Sequence, residues 1–131
     1  MKTMALDFGR ARTGVAVSDP TGLIARPLCV VEKAASDAGL AELERLVRDE
    51  AVGQVVVGHP LTLRGERGDQ ALVTERFAKA LRERVDVPVV LFDERFTTDL
   101  AQQTPSDAPE DARAAAHLLS SYLVWSSAAP A

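Results

Sequence analysis

Acidic residues stand at the ends of two apolar runs in this sequence. Asp7 closes the run that begins at Thr3, and Asp93 and Glu94 follow the run VPVVLF (87–92). A carboxylate buried at the end of a strand is costly unless an arginine or a metal ion neutralises it. If the two strands are neighbours, Asp7 and Glu94 repel each other, and a divalent cation relieves that repulsion. Mg²⁺ or Mn²⁺ is the expected ion, because the chain offers carboxylates and no His/Cys cluster.

A third acidic residue, Asp111, lies in the first turns of a predicted last helix. Alanines follow it at 112 and 114–116, and such small side chains allow the helix to approach a sheet closely. Asp111 would then lie near Asp7 and Glu94. An Asp at a helix N-terminus can equally serve the helix alone, since its charge interacts favourably with the helix dipole. Asp7 and Glu94 could also form ion pairs with arginines, and Asp93 could replace Glu94 as a ligand.

Arginines are concentrated where predicted strands meet loops. The planar guanidinium group suits phosphate oxygens, so these positions indicate a substrate that carries phosphate. Solvated loop arginines without a ligand are the alternative. The five candidates for substrate binding are Arg10, Arg12, Arg64, Arg67 and Arg95.

The apolar pattern predicts the order βββαβαβα, an α/β fold with a mixed sheet. Apolar runs predict the strands, and helical spacing from the candidate cap Ser36 to Gly53 predicts the first helix. Sites in such folds gather beyond the carboxyl ends of parallel strands, where Asp7 and the Asp93–Glu94 pair stand. The stretch from Thr97 to Pro109 is expected to be mostly a connection, in which Thr97 and Thr98 cap a turn or contact the acidic pair. The predicted strands cover residues 3–8, 14–19, 24–32, 54–58 and 87–92.

Composition narrows the functional classes. A chain of 131 residues with 47% hydrophobic residues fits one domain spanning 1–131, and it has no apolar stretch long enough for a membrane span. The single Cys29 and the absence of a signal-peptide pattern favour the cytoplasm. A net charge of −4 counts mildly against a nucleic-acid partner. With 5% aromatic residues, any nucleic acid should be recognised through its backbone and shape.

Taken together, the ordered motifs resemble those of the YqgF (RuvX) family of bacterial proteins. The matching segments are DFGxxxxGVAVSD (7–19), VVVGxP (55–60) with LxxxG (61–65), FAxxL (77–81), DERFTT (93–98) and DxxxAAxLL (111–119). The resemblance implies a ribonuclease H-like fold with a five-stranded mixed sheet and a divalent-metal phosphodiesterase site. In this chain the metal ligands and catalytic residues would be Asp7, Glu94 and Asp111.

The resemblance also implies a nuclease that matures the precursor of 16S ribosomal RNA. A resolvase acting on Holliday-junction DNA is the first alternative, and a non-catalytic nucleic-acid-binding module is the second. Either a monomer or a homodimer is compatible with the sequence, although junction resolution needs two active sites and hence a dimer. The chain departs from the family pattern at His59, where leucine is usual; an outward-facing side chain is expected there, and an additional polar contact near the cleft is the alternative. It also has a short segment before Asp111, which counts against junction recognition.

Overall fold

A five-stranded mixed sheet places the first acidic residue at the end of its central strand. The computed structural model describes residues 1–97 and 108–128. The strands are β1 (Thr3–Asp7), β2 (Arg12–Ser18), β3 (Ala25–Glu32), β4 (Gln54–His59) and β5 (Val89–Asp93). The helices are α1 (Asp37–Asp49), α2 (Asp69–Arg82) and α3 (Glu110–Ala128), and a 3-10 turn covers Glu94–Phe96.

The sheet order is β3-β2-β1-β4-β5. β1, β2 and β3 form an antiparallel meander, whereas β4 and β5 run parallel to β1. The strands that carry Asp7 and precede Glu94 are therefore not neighbours, and the assumption that they are is wrong. The chain crosses over twice through helices, and each crossover adds a strand outward from β1, so β4 separates β1 from β5.

Alternating side chains give the sheet two apolar faces, as expected for extended strands. Met4 and Leu6 of β1 belong to the larger core, which α1 and α2 cover. Ala5 between them belongs to the smaller core beneath α3. β4 behaves in the same way, because Val55 and Val57 face α1 and α2 while Val56 faces α3. The same alternation sends the side chain of the next odd residue of β1, Asp7, towards α3.

Small residues let α3 lie directly on the meander. Ala5 and Ala16 pair across β1 and β2 on the face that α3 covers, where they meet Ala115 and Ala116 of the helix. At Gly14 the approach is closer still: a Cβ atom there would overlap the carbonyl group of Asp111 and lie 3.0 Å from the amide nitrogen of Ala112. Gly14 therefore determines how near the start of α3 comes to Asp7, its partner across the β1–β2 ladder.

Replacing Gly14 with alanine should destabilise the protein by about 2–3 kcal/mol, because the obstruction is backbone and α3 would have to move away from β2. Thermal or urea unfolding measures the loss. Gly68→Ala is the matched control, since a Cβ atom there meets only the Thr62 methyl group at 3.9 Å and should change stability by less than about 1 kcal/mol. Equal stability of the two variants would contradict the close approach of α3.

The predicted order βββαβαβα and the five-stranded mixed sheet are confirmed. Ser36 is the N-cap of α1, where its hydroxyl accepts a hydrogen bond from the Gly39 amide at 3.1 Å. The first helix ends at Asp49, earlier than the predicted limit at Gly53. Thr98 and most of the connection before α3 lie outside the described residues. None of the helices formed by the described residues combines the length and hydropathy needed to span a lipid bilayer.

Candidate active site

The side chain of Asp7 is held at the carboxyl end of β1, on the face covered by α3. The next residue, Phe8, packs on the opposite face, where its ring stacks on Phe77 of α2 with a centroid separation of 4.3 Å. On the far side of the turn, the Thr13 hydroxyl lies 3.4 Å from both the amide nitrogen and the carbonyl oxygen of Gly9. These contacts fix the backbone on both sides of Asp7, so the carboxylate has a defined direction.

Glu94 reaches Asp7 by passing over β4. It is the first residue of the 3-10 turn that follows β5, and its carboxyl group forms a hydrogen bond with that of Asp7. The path is open because β4 carries Gly58 on this face. A Cβ atom at Gly58 would collide with Glu94 Oε1 and lie 3.1 Å from Glu94 Cδ. The sequence signal for this role is a glycine that follows three valines in a buried strand, a position that usually marks a close approach.

Asp93 is turned away from this pair. Its carboxylate accepts hydrogen bonds from the Arg95 backbone amide at 2.9 Å and from Arg95 Nη2 at 2.6 Å, so it caps the turn and binds the guanidinium group. Arg95 holds the pKa of Asp93 below its ordinary value. Of the two adjacent acids, Glu94 is the one beside Asp7.

The two paired carboxyl groups resist ionisation. Burial raises the pKa of Glu94 to about 7, and the negative charge of Asp7 adds to the effect. Burial also raises the pKa of Asp7, and the charge of Asp111 raises it further, while the hydrogen bond from Glu94 acts in the opposite direction. Near neutral pH, the raised pKa values therefore oppose simultaneous ionisation of the two carboxyl groups. A cation bound by both groups would remove the repulsion between the two carboxylates.

The space beside the pair has the chemistry of a hard-cation site. A cavity of about 210 Å³ is lined by Asp7, Glu94, Thr97, Ala114 and Leu118. The hydroxyl group of Thr97 is buried and, within the described part of the chain, has no hydrogen-bond partner. Two carboxylates and an unpartnered hydroxyl supply oxygen atoms only, the donor type that Mg²⁺ and Mn²⁺ prefer. These residues fit a divalent cation that completes its coordination with water or phosphate.

Asp111 lies near the pair but is bound elsewhere. Its negative charge raises the pKa of Asp7, whereas its carboxylate forms an ion pair with Arg12, with Oδ2 3.1 Å from Arg12 Nε. Across residues 1–97 and 108–128, no three His, Cys, Asp or Glu side chains lie close enough together to hold a metal ion. The structure therefore brings together two of the three predicted acids, and the third faces an arginine.

The candidate arginines all follow the carboxyl ends of parallel strands, and three of them contact carboxylates. Besides Arg12 and Arg95, Arg67 binds Glu75 of α2, with Nε 2.9 Å from Oε2. His59 shares that carboxylate at 2.8 Å, so this half-buried ring points towards α2. The expectation of an outward-facing His59 is wrong, because Glu75 lies within reach on α2 and binds it. All five are exposed, Arg10 and Arg64 included.

The raised pKa of Glu94 makes the free energy of unfolding of the metal-free protein depend on pH. In the folded state the pKa of Glu94 is raised from 4.5 to about 7, so its stabilising effect is complete below pH 4.5 and is lost as the pH rises through 7. At pH 8 in EDTA, Glu94→Gln should be more stable than the parent by about 1–2 kcal/mol, after allowance for partial solvent exposure.

Melting curves at pH 5 and pH 8 check this expectation. The two proteins should differ little at pH 5, and Mn²⁺ should raise the melting temperature of the parent far more at pH 8 than at pH 5. The Gln variant should lose most of that response. A parent whose stability is flat across this interval would contradict the raised pKa of Glu94.

Comparison with known proteins identifies the family. A family model described as "RuvX: Holliday junction resolvase" matches residues 1–124. A protein of Chloroflexus aurantiacus named putative pre-16S rRNA nuclease is 47% identical over 100 residues, which cover 76% of this chain and 65% of that protein. The chain thus spans just under two thirds of this relative. A Geobacillus kaustophilus protein of the same name is 39% identical over 134 residues, covering 94% of this chain and 97% of its own length.

Solved structures agree at the level of the fold. The RuvC structure of Thermus thermophilus superposes with a TM-score of 0.68 at 14% identity, covering 97% of this chain and 96% of the other. The same protein in complex with a Holliday-junction substrate gives a TM-score of 0.67 at 15% identity, covering 97% and 95%. The sheet order, the acidic pair at its carboxyl edge and the family match along nearly the whole chain lead to one conclusion. The chain belongs to the RuvX family.

Proposed function

We propose that this protein is a divalent-metal-dependent nuclease that hydrolyses phosphodiester bonds in the precursor of 16S ribosomal RNA. The observation that carries the proposal is the half-buried Asp7–Glu94 pair, whose carboxyl groups meet beside a cavity that the unpartnered hydroxyl of Thr97, within the described residues, also lines. Two neighbouring carboxyl groups with raised pKa values destabilise the folded protein when both are ionised. Carboxyl groups perturbed in this way and placed in a cleft are typical of catalytic sites. The names of the curated relatives support the choice of RNA.

In the proposed mechanism, Asp7 and Glu94 would hold Mg²⁺ or Mn²⁺, and Asp111 would join them once Arg12 released it. When bound, the ion would supply the positive charge that activates a water nucleophile and stabilises the leaving oxygen. Thr97 would donate its hydroxyl to an oxygen atom in the cavity. Because Glu94 must ionise before it can bind a cation, and its pKa is raised to about 7, metal binding and cleavage would be favoured above neutral pH.

The arginines would hold the substrate around this centre. Arg10 and Arg64 are exposed at the carboxyl edge of the sheet and would bind backbone phosphates. Arg12 would turn from Asp111 to the phosphate beside the cut. Arg67 and Arg95 are bound to Glu75 and Asp93, so they would act mainly by holding the loops that carry the exposed arginines. We infer that residues 1–131 work as one domain, as a monomer or a homodimer, and that the RNA substrate would be met in the cytoplasm.

A cleavage assay tests the proposal. Labelled precursor RNA, single-stranded DNA and four-way junction DNA are each incubated with Mn²⁺, Mg²⁺ or EDTA. The expected result is metal-dependent cutting of RNA that EDTA stops. Preferential cutting of the junction by a dimer would instead identify a resolvase, and cutting that persists in EDTA would exclude the proposed metal site.

A non-catalytic nucleic-acid-binding module is the second candidate, and one observation favours it. Asp111 is paired with Arg12, so the described residues present two acids at the cavity instead of three. The same assay separates the candidates, because a binding module would retain RNA in EDTA and leave it intact in Mn²⁺.

A further inference from the structure

The loop that joins β4 to α2, residues 60–68, is held in one shape by its own hydrogen bonds. The Thr62 amide donates to the Glu66 carbonyl at 3.0 Å, and the Gly65 amide donates to the Thr62 carbonyl at 2.8 Å. The Thr62 hydroxyl accepts from the Glu66 amide at 3.0 Å. Gly65 has a φ of 81°, a left-handed conformation that favours glycine. The β4–α2 loop is therefore a tight turn with a defined tip.

Contacts outside the loop fix its position next to the acidic pair. Arg95, the residue after Glu94, donates from Nη1 to the carbonyl oxygen of Leu63 at 3.3 Å. At the other end, Arg67 binds Glu75 of α2. The tip is thus held on one side by the turn that carries Glu94 and on the other by α2. A side chain on this tip keeps its place relative to the cavity.

Leu63 occupies the tip and is 94% exposed, the most exposed large apolar side chain among the described residues. Its backbone carbonyl accepts the hydrogen bond from Arg95, and its side chain lies almost wholly in solvent. A single exposed leucine is common on protein surfaces. What sets this one apart is its attachment, because Leu63 belongs to a tight loop that is hydrogen-bonded to Arg95, the residue after Glu94.

We propose that Leu63 packs against the face of an unpaired nucleobase next to the phosphate being cut. This inference rests on the proposed nuclease function. It adds a contact to a base of the substrate to the proposed contacts with its phosphates. Nucleic acid is the occupant that the surroundings favour, because exposed Arg64 stands beside Leu63 and Arg10 lies at the same sheet edge. An apolar side chain reaches a base face only where the base is unstacked, as with side chains that insert between base steps. The contact would therefore select flexible or unpaired sites.

The test measures binding to two fluorescent RNA duplexes that differ only in a three-nucleotide bulge, and to the two matching DNA duplexes. The measurements are made in EDTA, where no cutting is expected. Leu63→Ala should weaken binding to the bulged strand about tenfold and leave the fully paired strand unchanged, since burial of a leucine side chain is worth that much or more. Leu63→Phe should restore binding, because an aromatic ring also stacks on bases. Equal losses in RNA and DNA would mean that the base, without the sugar, is recognised.

Leu23→Ala is the matched control, because Leu23 is 76% exposed in the turn at the opposite edge of the sheet. It should bind like the parent, and all variants should share the parent's melting temperature. Unchanged binding by Leu63→Ala, an equal loss on paired and bulged strands, or a parent that binds neither would overturn the proposal. If the parent binds but never cuts, the proposed nuclease function fails while a selective loss in Leu63→Ala still supports the base contact.

Discussion

Replacing Asp7 with asparagine should reduce metal-dependent cleavage of precursor RNA by about a thousandfold, which corresponds to roughly 4 kcal/mol of transition-state stabilisation. Asparagine keeps the shape of the side chain and its position on the α3 face but removes the charge that would bind the cation. Because burial and Asp111 already raise the pKa of Asp7, loss of this charge should not harm the fold. The metal-free variant should be at least as stable as the parent at pH 8.

The measurement is kcat/KM on labelled RNA with Mn²⁺, together with the Mn²⁺-induced shift in melting temperature. Asp86→Asn is the control, since Asp86 is an exposed carboxylate in the connection that precedes β5, at the end of the parallel strands opposite the acidic pair. That variant should keep both the activity and the thermal response. An Asp7→Asn protein that cuts within about threefold of the parent would show that the acidic pair is not the catalytic centre.

Replacing Gly58 with alanine should reduce kcat about a hundredfold while leaving the fold intact. The added methyl group would meet the carboxylate end of Glu94, which is flexible and can move aside at little cost to stability. The displaced carboxylate would no longer bond to Asp7, and a shift of about 1 Å in a catalytic group can cost that much in rate. We expect stability to change by less than about 1 kcal/mol.

Single-turnover cleavage and thermal unfolding separate these two effects. Gly68→Ala serves again as control, because it adds the same methyl group where there is room for it. If Gly58→Ala cuts at the parental rate, Glu94 does not need its path over β4. If Gly58→Ala unfolds well below the parent, the methyl group disturbs the sheet and the rate loss says nothing about Glu94.

The order of strands and helices was predictable because each element has a local sequence pattern. The valines of β4 read as a buried strand, and Ser36 reads as a helix cap. Strand order was less accessible, because two crossovers can each place the next strand on either side, and the neighbour of β1 is decided by packing of the whole sheet. For this reason the sequence predicted that Asp7 and Glu94 approach each other while leaving β4 out of the space between them.

Some features of the candidate site were likewise predictable from the sequence, and others were not. The positions of Asp7 and Glu94 follow from where apolar runs end, so they were visible in the sequence. The partners of Arg12 and Arg67 were not, because Asp111 and Glu75 come from distant segments and an exposed arginine has many possible partners. The role of Gly58 was also missed: a glycine within a strand signals close approach, but the sequence does not say what approaches.

The contact between Arg12 and Asp111 joins side chains that are 66% and 39% exposed. Pairs this open to water contribute about 0–1 kcal/mol, so exchanging one partner for another costs little. Under the proposed mechanism, a divalent cation bound by Asp111 would free Arg12, which could then bind a phosphate of the substrate. Loading of the cation and capture of the polyanion would thus favour each other, and neither would need a large movement of the backbone.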